Sequence, residues 1–227
     1  VEKMKYVLKR PLSKHESMKI IEASYRIETP IDGAEILKRI EQAGRTCYKS
    51  EDRITAESAE AFVRKLILRG HESVLEHESV TVRFVCDRGI SHEIVRHRIA
   101  SFSQESTRYC NYSNDRFGSE LTFIKPCFLE EGTVAYKQWI LAVSFAGKEY
   151  FALLDCGCTP QEARSVLPNS LKTEVVMTTN LREWRHFLKL RTAKTAHPQM
   201  RELTVPLLYE LQRRIPVVFD DIKEDNI

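Results

Sequence analysis

The chain has no run of 18 apolar residues and no charged-then-apolar leader. Neither a membrane span nor a secretion signal is therefore visible, and a cytoplasmic protein is the expectation. It also lacks an excess of charge of one sign: 35 Lys and Arg against 32 Asp and Glu leave +3. That is too mild for a protein that coats nucleic acid, while small anionic ligands stay open. A cysteine framework is missing as well. Cys47, Cys86, Cys110, Cys127, Cys156 and Cys158 are scattered, which predicts mostly buried apolar thiols in a reducing compartment. No spacing offers the two close ligand pairs of a structural zinc site. No internal repeat, low-complexity tract or long linker divides the chain.

What is present is enough for one core: 227 residues, 42% of them hydrophobic, suffice for a single compact domain. Residues 1–17 carry a basic cluster (Lys3, Lys5, Lys9, Arg10, Lys14) and no initiator methionine, so they are set apart as an extension, native or added for expression. Residues 18–227 form the expected domain. The stretch opening at Met18 alternates as one first strand. Asp32-Gly33 starts a helix with Ile36, Leu37 and Ile40 on one face, and Thr55 is the expected cap of the next. Glu78 to Asp87 alternates as a half-buried strand, with Val80, Val82, Phe84 and Cys86 inward. Leu121–Ile124 is a short strand. Thr133 to Asp155 is a long helix, with Gly157 a natural stop behind it. Thr159-Pro160 restarts helix with capping residue and proline in the preferred order. Thr173 to Thr179 is a strand, Asn180 caps a helix reaching Leu190, and Pro198 to Ile215 is a helix bent or interrupted at Pro206. This mixed order predicts an α/β or α+β fold, a central sheet flanked by helices.

The chemistry concentrates in Arg96 to Tyr109, RHRIASFSQESTRY. If Ser91 caps a helix from about His92 to Ile99, side chains turn by about 100° per residue, so Arg96 and Arg98 project on nearly opposite sides. Ser101, Ser103, Gln104, Glu105, Ser106 and Thr107 then offer hydroxyls, an amide and backbone N–H groups at high density, the donor set of phosphate and nucleobase recognition. A polar loop after an amphipathic helix would share that composition.

Arg96, His97 and Arg98, followed by seven residues and Ser106, resemble the signature of the flavin-dependent thymidylate synthases. HESVLEH at His71 to His77, ARSVLP at Ala163 to Pro168, and Asn180 through Arg191 fall where that family has its other site segments. The likeness runs over nearly everything from Met18 onward. It implies reductive methylation of dUMP to dTMP, with methylenetetrahydrofolate as carbon donor and NADPH reducing bound FAD. It also implies a homotetramer with sites shared between subunits, and no polymeric nucleic acid or membrane as partner.

The resemblance assigns residues. His71, Ser73, Arg96, His97, Arg98, Gln104, Asn180, Leu181, Arg182 and His186 are expected at the flavin cofactor. Gln104, Glu105, Ser106, Thr107 and Arg108 are expected to cradle dUMP, bordered by Glu93, Ile94, Val95 and Arg96. Arg164 is expected on the dUMP phosphate. Arg191 is expected at the uracil ring, favouring ionisation at N3, and is the candidate catalytic residue. Ser106 has no base dedicated to it and is taken as a binding residue. Some family members have glutamate at Gln104, asparagine at Ser103 and His186, and glutamate at Gln161. The stretch from Arg191 to His197 is also two residues longer than in some relatives.

Two other classes stay open on the residues alone. One is a nucleotide- or RNA-binding module without turnover. The other is a metal-dependent hydrolase using His71, His77, His92 and His97 with neighbouring glutamates. His92 and His97 stand five apart, which does not match the metalloprotease spacing, and no metal is expected.

Overall fold

The structure is a computed structural model and describes residues 17–110, 112 and 120–224. The expected extension therefore lies, apart from Ser17, outside the described residues. Six strands and seven helices are described: β1 (Ser17–Ile21), β2 (Ser24–Ile27), α1 (Gly33–Thr46), α2 (Ser58–Leu68), β3 (Ser79–Asp87), α3 (Arg88–Ile94), β4 (Ser101–Gln104), β5 (Glu120–Ile124), α4 (Val134–Asp155), α5 (Pro160–Ala163), β6 (Lys172–Asn180), α6 (Leu181–Arg191) and α7 (Pro198–Arg214). The mixed α/β expectation holds.

The strands make two sheets. β2, β3, β6 and β4 form an antiparallel sheet in that order, and β1 pairs in parallel with β5. The expected single first strand is two, because the chain breaks at Glu22-Ala23 and β2 joins the other sheet. Along β3 and β6 the register sets Val82 opposite Met177 and Phe84 opposite Val175, all fully buried. Against that face pack Ile40 of α1, Trp184, Phe187 and Leu188 of α6, and Leu203, Leu207 and Leu211 of α7. Burying each such side chain stabilises the fold by about 1.5–3 kcal/mol. A second cluster joins Leu121 and Phe123 of β5 to Val143, Tyr150 and Phe151 of α4.

Local chemistry sets the ends. Asp32 caps α1, and Thr133 caps α4. Gly157, at φ 88, closes α4 with the Gly157 amide on the Leu154 carbonyl at 2.9 Å. α2 begins at Ser58 rather than just after Thr55: the Ser58 hydroxyl accepts from the Thr55 amide and donates to Glu41, holding the preceding residues in a turn. α7 runs through Pro206 without interruption, so the proline removes one hydrogen bond but does not end the helix. Of the cysteines only Cys86 is fully buried, while Cys47, Cys127 and Cys156 are exposed, contrary to the expectation of mostly buried thiols. No helix among the described residues is long and apolar enough to cross a membrane.

The main correction falls at the signature. Asp87, the last residue of β3, accepts from the Ile90 amide at 2.8 Å and starts α3 four residues before Ser91. Ser91 is therefore inside the helix and fully buried, donating to the Arg88 carbonyl. α3 ends at Ile94, so Arg96 and Arg98 lie on a turn beyond it and are both exposed. They do not occupy opposite sides of one helix. The hydroxylic stretch that follows includes a strand, β4, bonded to β6 from Ser101 to Gln104.

Candidate active site

Asn180 ends β6 and caps α6, its side chain accepting from the Glu183 amide at 2.9 Å. Eleven helical residues at a rise of about 1.5 Å then carry the chain roughly 16 Å, and Arg191 ends the helix beside α3. There its Nη1 donates to Glu93 Oε2 at 2.8 Å, its Nη2 to the Glu93 carbonyl at 3.2 Å, and its Nε to His97 Nε2 at 3.1 Å. The Thr204 hydroxyl of α7 donates to the Arg191 carbonyl. Glu93 and His97, 98 and 94 positions earlier in the sequence, thus meet at one guanidinium. His97 is buried, and its Nδ1 lies 3.0 Å from Glu183 Oε1. Burial holds its pKa below the usual imidazole value. The Glu183 hydrogen bond works against this, and the charge of Arg191 adds to it.

Beside this group lies a cleft of about 350 Å³, lined by Asp87, Glu93, Trp139, Asn169, His197 and Gln199. Gln199 donates to Asp87 at 2.7 Å. Burial raises the Asp87 pKa in spite of this contact and two backbone donors.

Asn169 also lines a second cleft of about 410 Å³, with Arg88, Thr107, Gln161 and Arg164. Arg164 sits where α5 ends, after a capping box of Thr159 and Glu162. Its Nη1 donates to the Thr107 hydroxyl at 3.1 Å across 57 positions of sequence. Arg88 Nη1 is buried and has no hydrogen-bond partner among the described residues. A buried cationic donor left unpaired is costly, and an anion in the cleft would satisfy it. The sequence reading missed Arg88, which stands directly behind the Asp87 cap.

The rest of the cradle is partly turned inward. The Gln104 amide donates to Ser91 at 2.9 Å and to Thr173 at 3.3 Å. Glu105 accepts from Tyr112 and Lys172, both at 3.0 Å. Ser106 accepts from the Arg108 amide, and exposed Arg108 lies over the ring of Tyr109. Ile94 and Leu181 are fully buried, backbone included, whereas Val95 is exposed.

Of the residues expected at the flavin, five line two further clefts, and Arg96, His97, Arg98, Gln104 and Leu181 do not. Asn180, Arg182 and His186 share one of about 470 Å³ with Glu72, Glu76 and Lys189. His71 and Ser73 line one of about 400 Å³, and Arg182 borders both. Arg182 is bonded to Glu76 at 2.6 Å. The amide, imidazole and two cations of the first of these clefts, set beside the carboxylates of Glu72, Glu76 and Glu183, can hydrogen-bond the rim and pyrophosphate of a dinucleotide. Exposed Arg96 and Arg98 make no side-chain hydrogen bond among the described residues.

The histidine–glutamate set of the hydrolase alternative does not assemble among the described residues. The group that does is His97, Glu183 and His186, with ligand atoms within 4.8 Å of one another. Both ring nitrogens of His97 are already engaged there by Glu183 and Arg191.

Comparison with known proteins identifies the family. Residues 31–217 match the family described as thymidylate synthase complementing protein. The flavin-dependent thymidylate synthase of Geobacter sulfurreducens is 35% identical over 186 residues, covering 79% of this chain and 78% of that protein. The enzyme of that name from Corynebacterium glutamicum is 34% identical over 214 residues, covering 88% and 84%. Among solved structures, thymidylate synthase X of Helicobacter pylori with FAD and dUMP aligns with a TM-score of 0.70 at 23% identity over 88% of this chain and 98% of that one. A UMP/dUMP methylase of Streptomyces cacaoi bound with 5-Br dUMP aligns with a TM-score of 0.72 at 21% identity, covering 93% and 100%. At those identities the two structures speak to the fold, and the curated relatives to the family. The chain belongs to the flavin-dependent thymidylate synthase family.

Proposed function

We propose that this chain converts dUMP to dTMP by reductive methylation, taking the carbon from methylenetetrahydrofolate and its reducing power from NADPH through FAD. The observation that carries the reading is the adjacency of two arginine sites. Arg164 with Thr107 and unpaired Arg88 borders one cleft, Glu93, the partner of Arg191, borders the next, and Asn169 lines both. A nucleotide laid across Asn169 puts its phosphate on the first pair of cations and its base at Glu93 and Arg191. An always-charged planar donor suits both ends: it forks onto phosphate oxygens, and it stabilises negative charge on a uracil ring. Ser106 and Arg108 supply further donors as binding groups. FAD, when bound, supplies the hydride chemistry. Asn180, Arg182, His186, His71 and Ser73 are the residues of this protomer that would hold it.

We further propose a homotetramer with shared sites. Arg96 and Arg98 extend into solvent, free to meet a ligand held by a neighbour. α4 exposes Val134, Leu141 and Phe145, at spacings that place them on one helix face. The cytoplasmic location rests on substrate chemistry, since dUMP and NADPH are too charged to cross a bilayer unaided.

The visible spectrum of the purified protein tests the reading. Flavin bands that survive desalting, or that appear stoichiometrically on adding FAD, are expected. A protein that stays colourless with excess FAD contradicts it and returns the nucleotide-binding and hydrolase alternatives.

A further inference from the structure

Arg191 is held by Glu93 on one side and by the ring of His97 on the other. The second contact has a strict requirement. A guanidinium Nε carries a proton at every accessible pH, so it can only donate. His97 Nε2, 3.1 Å away, must then be the unprotonated nitrogen. The ring proton is left on Nδ1, which faces Glu183 Oε1 at 3.0 Å and donates to it. A carboxylate accepts only, so the two neighbours agree on one tautomer of a neutral imidazole.

The placement of Glu183 goes beyond the ordinary use of a first-turn acid. A glutamate there stabilises a helix while fully solvated, yet this side chain is 10% exposed and the His97 side chain 5%. The ring is also fixed in orientation: Phe187 meets it edge-on at 4.8 Å and 72°, and His186 lies 5.8 Å away. The charged and titratable groups around it are Glu183, His186 and Arg191 from α6, with Glu93 of α3 beyond the arginine.

We propose that Glu183 is a positioning residue: by accepting the Nδ1 proton of His97 it leaves Nε2 as an acceptor, and that acceptor sets the plane of the Arg191 guanidinium facing the nucleotide base. This rests on the function proposed above. Protonation of His97 would turn Nε2 into a donor against Arg191 Nε and release the arginine. Glu183, as a negative neighbour, favours that protonation, while burial and Arg191 oppose it.

The test uses the FAD-loaded enzyme and two variants. Glu183→Gln keeps an acceptor for Nδ1–H and loses the charge; Glu183→Ala loses both. For Glu183→Ala the expected result is a fall in kcat of about tenfold or more with the KM for dUMP little changed, since the phosphate contacts of Arg88 and Arg164 remain. Glu183→Gln is expected to keep kcat within about threefold of the wild type and to move the acidic limb of the rate profile to lower pH, because the charge that favours protonation is gone. Nitrogen resonances of histidine-labelled protein give a readout independent of turnover: His97, identified by loss of its signals in His97→Gln, should show a protonated Nδ1 and a bare Nε2. A protonated Nε2, a Glu183→Gln enzyme as slow as Glu183→Ala, or an unmoved acidic limb overturns the proposal. If Glu183→Ala does not fold, the limb in Glu183→Gln and the resonances still decide it. A wild-type enzyme that makes no dTMP overturns the function itself, so the two failures are distinguishable.

Discussion

Replacing Arg185 with methionine tests how the fold holds the flavin side of the site. The Arg185 side chain is 1% exposed, on α6. Its Nε and Nη2 donate to Glu72 at 3.2 and 2.9 Å, its Nη1 and Nη2 donate to Asp221 at 2.6 and 2.7 Å, and Nη1 also donates to the Val218 carbonyl. It therefore ties the segment around Phe219 and Ile222, both fully buried, to the turn that carries His71 and Ser73. Stranding one member of a wholly buried ion pair costs about 3–5 kcal/mol. Here the abandoned carboxylates are 22% and 44% exposed and regain water, so the loss is smaller. A methionine also returns some apolar burial. A net loss of about 2–3 kcal/mol remains, much of it from the unpaired Val218 carbonyl. With a urea slope of about 2–3 kcal/mol/M, the midpoint should drop by about 1 M. FAD affinity should fall with it while dUMP affinity holds, because Glu72 stands between the two expected flavin contacts. The double variant Glu72→Gln, Asp221→Asn should be worse than Arg185→Met, since it leaves a cation buried without a counter-charge. Burial alone would raise the Asp221 pKa, but Arg185 outweighs it and the value is lowered. That stabilisation is present above the ordinary aspartate range near pH 4 and is lost as pH falls through the lowered value. The deficit of Arg185→Met should accordingly shrink in strong acid. An unchanged urea midpoint, or a double variant more stable than Arg185→Met, would refute the reasoning.

Three further outcomes are expected. Arg191→Ala should lower dTMP formation by about 10²–10³-fold with FAD still bound, the range seen when a donor that stabilises developing charge is removed; unchanged turnover would remove its catalytic role. Arg164→Ala should raise the KM for dUMP by about 10- to 100-fold, as loss of a charged hydrogen bond implies, and Arg88→Ala should do the same if its buried Nη1 meets the phosphate. Gly33→Ala should destabilise by about 1–3 kcal/mol or more in urea titration, since its new Cβ would stand 2.1 Å from the backbone oxygen of Arg214, which cannot swing aside; a wild-type midpoint would contradict that.

Most elements were legible where hydrophobic periodicity was strong and a cap stood at the right offset. Asp32 with Ile36, Leu37 and Ile40, the alternation of β3, and Asn180 before α6 are such cases. The reading failed where two caps competed: Asp87 and Ser91 both suit a helix start, and only the Asp87 bond to the Ile90 amide, with Ser91 engaged by Arg88 and Gln104, shows which one acts. Strand order and the split of β1 from β2 depend on pairing across the chain, which local pattern does not encode. In the site, Arg164 and Arg191 were reachable through the resemblance of their segments. Arg88 and Glu183 were not, since an arginine behind a strand and a glutamate in a first helical turn look like ordinary surface residues until their burial is known.

The central claim is tested most directly by following product in a mixture of the FAD-loaded protein, dUMP, methylenetetrahydrofolate and NADPH. Chromatography should show dTMP accumulating with oxidation of NADPH, and none when FAD or dUMP is withheld. A flavin-loaded, folded protein that leaves dUMP unchanged would contradict the account.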